Sequence, residues 1–404
     1  MGIPDYIEPG KLKALALYIH IPFCVEKCDY CAFYSVAHSK AEWQEKWLQA
    51  VRLEFAKCRK LIGDIRISTI FIGGGTPSLL KLPLLEGLFK EIELFNLDGL
   101  EEYSIEANPE SLSPDFLDLL KIYSIDRLSL GVQSLQPEEL AMLGRRASLE
   151  HTLEALELLS AKWQGRLNLD FISGIPGQSQ ASLLDSLEKA IQMAKLDHIS
   201  LYSLSAEEKT ALQRRFQNEG LKHHPNHDSL WIKAYCFLQS QGFLNYEMAN
   251  FAKPGKECRH NLAYWNLKPY WGFGPSAYST LPGKKGVLRL SYASDLHLFN
   301  GRADKALAIE SLTPKEFLTD TMIMGWRLKQ GVSKGVFLRR FGSSLEDLLP
   351  GFYDFLVNKR ILLQSKSHYR LSLKSRLFLD DVLLELMGAL DELPSGLLRV
   401  NWPE

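Results

Sequence analysis

From Leu15 to about Ser205, short runs rich in β-branched and aromatic residues alternate with longer amphipathic stretches. The short runs predict strands at 15–20, 69–72, 103–106, 127–131, 167–172 and 198–201. Between them, segments such as 41–61 and 179–194 carry apolar residues at three-to-four spacing, the helical period. Such strand–helix alternation predicts parallel strands joined by right-handed crossovers, an α/β fold built as a partial (β/α)6 TIM-like barrel. In such barrels the chemistry sits where strands end, at their C-terminal side.

Beyond Ser205 the alternation breaks down. A polar run at 206–210 leads to a His-rich stretch at 222–227, then to a helix near 228–241. A Gly- and aromatic-rich segment, 243–278, precedes a hairpin signal at Pro282-Gly-Lys-Lys-Gly. From about Thr313 the pattern gives three helices, a hairpin at 361–373 and a last helix, a small, mostly helical winged-helix-like domain. The expected organisation is an N-terminal segment 1–14, a barrel core 15–205, a barrel-associated segment 206–312 and a C-terminal domain 313–404.

The 404 residues, 46% of them apolar, suffice for one large catalytic domain with appendages. A formal net charge of -1 argues against broad attraction to nucleic acid or anionic membrane. No window approaches the roughly 18 uninterrupted apolar residues of a membrane span, and the N-terminus lacks signal-peptide character. Clustered cysteines without an export signal point to a reducing cytoplasm.

Half of the six cysteines fall within eight residues: Cys24, Cys28 and Cys31, spaced C-x3-C-x2-C directly after the first predicted strand. Thiolates this close can converge on an iron–sulfur cluster, and three of them leave one iron open for a substrate or cofactor. A zinc site completed by His38, or a structural disulfide, are the alternatives. Gly73-Gly74-Gly75-Thr76-Pro77 follows the second strand, where small residues permit close backbone approach. Glu106, Gln133 and Asp170 end the third, fourth and fifth strands. Arg145, in the helix after Gln133, can meet a carboxylate with a bidentate fork. His223, His224 and His227 flank Pro225 and Asn226 and read as a solvated linker.

The cysteine loop paired with the glycine turn resembles the radical S-adenosylmethionine (SAM) superfamily. That resemblance implies a [4Fe-4S] cluster on Cys24, Cys28 and Cys31, with SAM chelated at the open iron. Tyr18-Ile-His-Ile-Pro-Phe-Cys, Ser-Ile-Glu, Gly-Val-Gln and Asp-x-x-x-Gly-x-Pro-Gly-Gln narrow it to the oxygen-independent coproporphyrinogen dehydrogenase branch, across roughly residues 15–280. By motif position, Tyr18, Gly74, Gly75, Thr76, Glu106, Gln133, Arg145 and Asp170 would then form the SAM site. Two departures favour the heme chaperones of that branch over its dehydrogenases. Phe33 stands where the dehydrogenases carry a fourth cysteine, and only 23 residues precede Cys24.

His260-Asn261-Leu262-Ala263-Tyr264-Trp265 resembles the H-N-x-x-Y-W segment of those chaperones. It implies heme bound through His260, with Asn261, Tyr264 and Trp265 beside it; imidazole is a common axial ligand and aromatic rings suit a porphyrin face. Cys258 lacks a C-x-x-C-H context and is left open as a further ligand. The implied function is to bind heme and pass it to an acceptor protein, a respiratory protein being one candidate. The alternative is oxidative decarboxylation of coproporphyrinogen III by a radical SAM enzyme. The basic residues of the C-terminal domain, interleaved with acidic ones, suit partner docking or barrel capping better than DNA. No nucleic-acid partner and no stable membrane anchor are expected, and a homodimer is allowed.

Overall fold

The computed structural model describes residues 3–38, 40–394, 396 and 398–404; Met1, Gly2, Ser39, Ser395 and Leu397 lie outside it. The predicted strand sites each form a strand: β1 (Leu15–Ile21), β2 (Ile67–Gly74), β3 (Glu102–Ala107), β4 (Arg127–Gln133), β5 (Arg166–Ser173) and β6 (His198–Ser203). They pair in parallel and in chain order. Each runs one or two residues past its sequence-predicted bounds at one end or both.

The barrel does not close. β6 pairs antiparallel with β8 (Asn250–Ala252), which pairs with β7 (Leu244–Asn245). On the other edge β1 pairs in parallel with β9 (Tyr270–Phe273). There β10 (Tyr278–Gly283), β11 (Gly286–Tyr292) and β12 (Leu307–Leu312) extend the sheet to twelve strands. The Pro282-Gly-Lys-Lys-Gly signal is the turn between β10 and β11.

Period-two alternation sorts the side chains by face. Outward residues such as Leu17, Ile19, Ile70, Ile72, Leu128, Leu130, Leu169 and Leu201 are buried under the helices, which include α1 (Ala41–Ile62), α2 (Leu82–Ile92) and α3 (Pro114–Ile122). The inward set is unusually polar: Thr69, Glu102, Ser104, Arg127, Ser129, Asn168, His198 and Ser200 are all buried. α4 (Pro137–Met142), α5 (Leu149–Lys162) and α6 (Gln180–Met193) complete the crossovers. Ser148 and Ser179 cap α5 and α6 through capping boxes, satisfying first-turn N–H groups. α7 (Ala211–Asn218), α8 (His227–Ser240) and α9 (Arg259–Trp265) belong to the associated segment.

After α10 (Leu296–Ala306), a second apolar cluster gathers Phe317, Trp326, Phe337, Tyr369 and Leu386 around α11 (Pro314–Arg327). The short strands β13 (Val332–Ser333), β14 (Leu362–Leu363) and β15 (His368–Leu371) form the wing of this mostly helical unit. Leu267 joins the same cluster, and the Trp402 indole donates to the Leu267 carbonyl at 2.8 Å. The C-terminal unit therefore clasps the chain just beyond α9. No helix among the described residues is long and apolar enough to cross a membrane.

Trp326 is fully buried and donates from its indole N–H to the Tyr369 carbonyl. Trp326→Ala is expected to cost about 3–5 kcal/mol, checked as a lower urea midpoint by circular dichroism.

Candidate functional site at the barrel mouth

At the C-terminal ends of the strands lies a cavity of about 310 Å³. Cys24, Cys28, Cys31, Gly74, Gly75, Thr76, Glu106, Gln133, Arg145 and Asp170 all line it. Residues from six separate stretches of chain thus meet at one cavity. Tyr18 is absent from the lining. It sits below, inside the barrel, with its hydroxyl 2.9 Å from Nδ1 of His20, whose Nε2 bonds the Tyr34 carbonyl at 2.8 Å.

The cysteine loop is held from both sides. Cys24 ends the two-residue strand Phe23–Cys24, paired with Val36–Ala37. Asp29, between the second and third cysteines, receives Arg215 of α7 at 2.8 Å, and its carbonyl accepts Leu212 N–H. The glycine turn serves chain packing as well as any ligand. Gly74 has φ +114°, and a Cβ there would lie 2.6 Å from the His20 ring; one on Gly75 would lie 2.6 Å from the Phe23 carbonyl. Gly75 and Thr76 donate N–H to Ile21 and Phe23, tying the turn to the cysteine loop. Gln133 adopts φ +69° at a bulge in β4, a strain that aims its side chain into the cavity wall.

Arg145 organises the polar wall. It donates to the Gly131 carbonyl at 2.6 Å, to Asn108 Oδ1 at 2.8 Å and to Cys28 Sγ at 3.5 Å. Asn108 in turn donates to Thr76 Oγ1 at 3.0 Å, and Thr76 donates to Cys24 Sγ at 3.7 Å. Asn108 follows Glu106 by two residues in Ser-Ile-Glu-Ala-Asn-Pro; its motif was visible in the sequence, its role was not. Burial pushes the Cys31 thiol up to about 11 and raises Cys24 as well, so both are protonated at neutral pH until a metal displaces the proton. Burial, reinforced by Asp170, pushes the Glu106 carboxyl up to about 7, while the Gly74 N–H it accepts at 3.0 Å and Arg127 oppose the shift.

The H-N-x-x-Y-W segment lies at the opposite end of the barrel. It forms α9, which stoppers the N-terminal ends of β2 and β3. His260 is 0% exposed: Nδ1 bonds Thr69 Oγ1 at 2.8 Å, Nε2 bonds the Tyr264 hydroxyl at 2.7 Å, and the ring stacks on Phe71. Burial pulls its pKa down to about 3, leaving a neutral imidazole with both nitrogens engaged. In this conformation His260 presents no free ring nitrogen, because a polar barrel floor must satisfy its own hydrogen bonds. Trp265 lies under the Arg327 guanidinium, 5.4 Å from its ring centre. Asn261 and Trp265 are half-buried on the same helix.

The radical SAM superfamily pattern matches residues 18–190, and the HemN C-terminal domain matches residues 312–378. The heme chaperone HemW of Bacillus subtilis is 31% identical over 381 residues, covering 92% of this chain and 99% of that protein. HemW of Mycobacterium tuberculosis H37Rv is 33% identical over 95% of the chain and 97% of its own length. The chain belongs to the HemW family. Coproporphyrinogen III oxidase (HemN) from Escherichia coli, a radical SAM enzyme, shares the fold at TM-score 0.79 and 20% identity, over 94% of this chain and 91% of that one.

The radical SAM domain implies a [4Fe-4S] cluster and SAM, and the cavity's donor set suits both. Its three cysteines are free thiols, and it buries the unpartnered polar atoms Arg145 Nε and Glu110 Oε2. Among the described residues no three His, Cys, Asp or Glu side chains close on a single ion. His223 stacks on Phe216, and His224 bonds the Gln178 carbonyl.

Because Glu106 titrates higher folded than unfolded, the folded state holds its proton longer. Its contribution to stability is complete below about pH 4.5 and is lost as pH rises through about 7. Glu106→Gln should remove this loss. In anaerobic, cluster-free protein, its stability relative to wild type should rise by on the order of 3 kcal/mol between about pH 5 and 8, read by urea denaturation.

Proposed function

We propose that the protein binds heme and transfers it to an acceptor protein, while carrying a [4Fe-4S] cluster on Cys24, Cys28 and Cys31 with exchangeable SAM. The observation that carries this reading is the near full-length similarity to relatives named heme chaperones. Phe33 supports it: 68% exposed at the cavity mouth, it offers no fourth thiolate where the dehydrogenase branch has one.

On this reading the chain's own groups divide the work. Arg145 would meet the SAM carboxylate with a charged fork while its contact with Cys28 steadies the thiolate. Glu106 would accept hydrogen bonds from the ribose, better as its carboxylate than as the acid, so SAM affinity should increase as pH rises through about 7. Gly74, Gly75 and Thr76 would bring backbone close to the methionine end; Gln133 and Asp170 would close the far wall. The bound cluster and SAM would supply an electron and a source of a 5′-deoxyadenosyl radical. His260 would reach heme iron only after α9 leaves the barrel floor, exchanging Thr69 and Tyr264 for the metal. Asn261, Tyr264 and Trp265 would accompany it.

The test is an anaerobic heme titration of cluster-reconstituted protein followed by Soret absorbance. A saturable, near-stoichiometric band is expected; His260→Ala should weaken its affinity at least about tenfold, roughly the 1.4 kcal/mol of one modest ligand interaction. Tyr264→Phe, which frees one ring nitrogen, should strengthen it. An unchanged band in His260→Ala would remove His260 from the site. No saturable band, together with turnover of coproporphyrinogen III and SAM, would replace the chaperone by the decarboxylase.

A further inference from the structure

A second pocket, of about 440 Å³, lies far along the chain from the cysteine loop. Its lining is Lys329, Gln330, Ser365, Ser367, His368 and Arg370, with no carboxylate among them. Lys329 follows α11, and the other side chains come from the following loop and from the β14–β15 hairpin. Arg376 stands nearby, 4% exposed, donating to Asn245 Oδ1 at 3.1 Å.

Among the described residues, no carboxylate lies within 4 Å of the charged nitrogens of Lys329, Arg370 or Arg376, whereas the adjacent Lys334 is paired with Glu346 at 3.6 Å. Arg370 Nε is buried without a partner. Burial, then Arg376 and Arg370, pull the Lys329 pKa down; burial also lowers Arg376, with Arg370 adding to the fall against Tyr235 and Glu247. Glu247, the nearest acid to Arg376, is itself pushed up to about 7 by burial and supplies only part of a negative charge near neutrality. The fold thus holds two cations, Lys329 and Arg370, on the wall of an open volume, with Arg376 close enough to repel both. Ser365 Oγ accepts the N–H groups of Ser367 and His368, which leaves its own proton available to a ligand.

Guanidinium, ammonium and hydroxyl donors without an acid are the recognition chemistry of an oxyanion. We propose that this pocket binds a dianionic oxyanion, either a phosphate-class small molecule or the paired carboxylates of a tetrapyrrole. The placement gives it consequence. The Lys329 N–H donates to the Tyr246 carbonyl, and the Tyr246 hydroxyl bonds His198 and accepts the Cys258 N–H at the start of α9. An anion here would sit one residue from the loop that holds the barrel floor. The phosphate-class candidate does not rest on the heme reading; the tetrapyrrole candidate does.

The full chain is titrated with inorganic phosphate at fixed ionic strength, balanced with sodium chloride, and thermal unfolding is followed by circular dichroism. Phosphate should raise the midpoint saturably. Lys329→Met and Arg370→Gln should each abolish the rise, and the ligand-free midpoint of Lys329→Met should equal or exceed that of wild type, since a repelled cation is gone. A residue needed only for folding would lower it instead. An equal rise with chloride alone, or an undiminished phosphate rise in the double variant, overturns the proposal. Mesoporphyrin displacing phosphate where its dimethyl ester does not assigns the site to tetrapyrrole carboxylates; failure to displace assigns it to the phosphate class.

Discussion

The Glu102 carboxylate holds the barrel floor together. It accepts from Ser104 Oγ and from Arg166 Nη1, both at 3.0 Å, and from Cys258 Sγ at 3.1 Å. It also accepts the N–H groups of Arg259 and His260 at 2.8 and 3.2 Å. Burial alone would raise its pKa, but Arg127 and Arg166, helped by these donors, bring it below the usual value. A buried charge satisfied on this many sides is stable only while every partner stays, so the first turn of α9 and the starts of β3 and β5 are fixed relative to one another. The rest of the molecule is arranged around that requirement. An open barrel of six parallel strands with a polar interior must be stoppered at its base, and α9 is the stopper.

The same constraint joins the two ends of the barrel. Glu102, Ser104 and Glu106 are successive inward residues of β3, so floor and cavity are separated by two side-chain steps on one strand. Arg127 is the charge common to both. It favours ionisation of Glu102 below and of Glu106 and Asp170 above, and it opposes protonation of His198 and His260. One guanidinium therefore biases both the candidate SAM carboxylate and the imidazole of the H-N-x-x-Y-W helix. Such coupling needs no movement; it follows from burying few counter-charges in a narrow interior where screening is weak.

What was legible in the sequence follows from the range of the interactions. Strand positions, the helix at 179–194 and the β10–β11 turn are set by local period and turn chemistry, and they stand close to where the pattern put them. Most of the cavity residues lie near the C-terminal ends of parallel strands, which bring them together; Cys28 and Cys31 come from the loop after β1, and Arg145, expected in a helix, comes from the loop between α4 and α5. Thr69 and His260 meet across 191 positions, and no local pattern says which end of a barrel a later helix will stopper. Tyr18, midway along β1, faces the barrel interior beneath the cavity, and Glu106 of the cavity lining still acts on its hydroxyl. Asn108 was passed over because a small amide beside a proline reads as a turn residue until Arg145 and Thr76 are seen on either side of it. The positive φ of Gln133 and the bulge behind it carry no sequence signature at all.

On the proposed reading, the satisfied state of His260 would set how heme is handled. Leaving the floor would break the Thr69 and Tyr264 hydrogen bonds, strip the α9 N–H groups and Cys258 from Glu102, and expose Phe71, so the open form lies uphill. A ligand shifts such an equilibrium only through its preference for the open form, and its apparent affinity falls by the fraction of molecules already open. Heme drawn to His260 would therefore be held less tightly than the iron–imidazole bond alone allows, and closure of α9 would favour its departure. A carrier needs that property and a heme enzyme does not, since a prosthetic group kept through turnover gains nothing from a floor that competes for its ligand. On the proposed reading, the clasp of the C-terminal unit on Leu267, two residues beyond α9, would limit how far the floor can open and so how readily heme leaves.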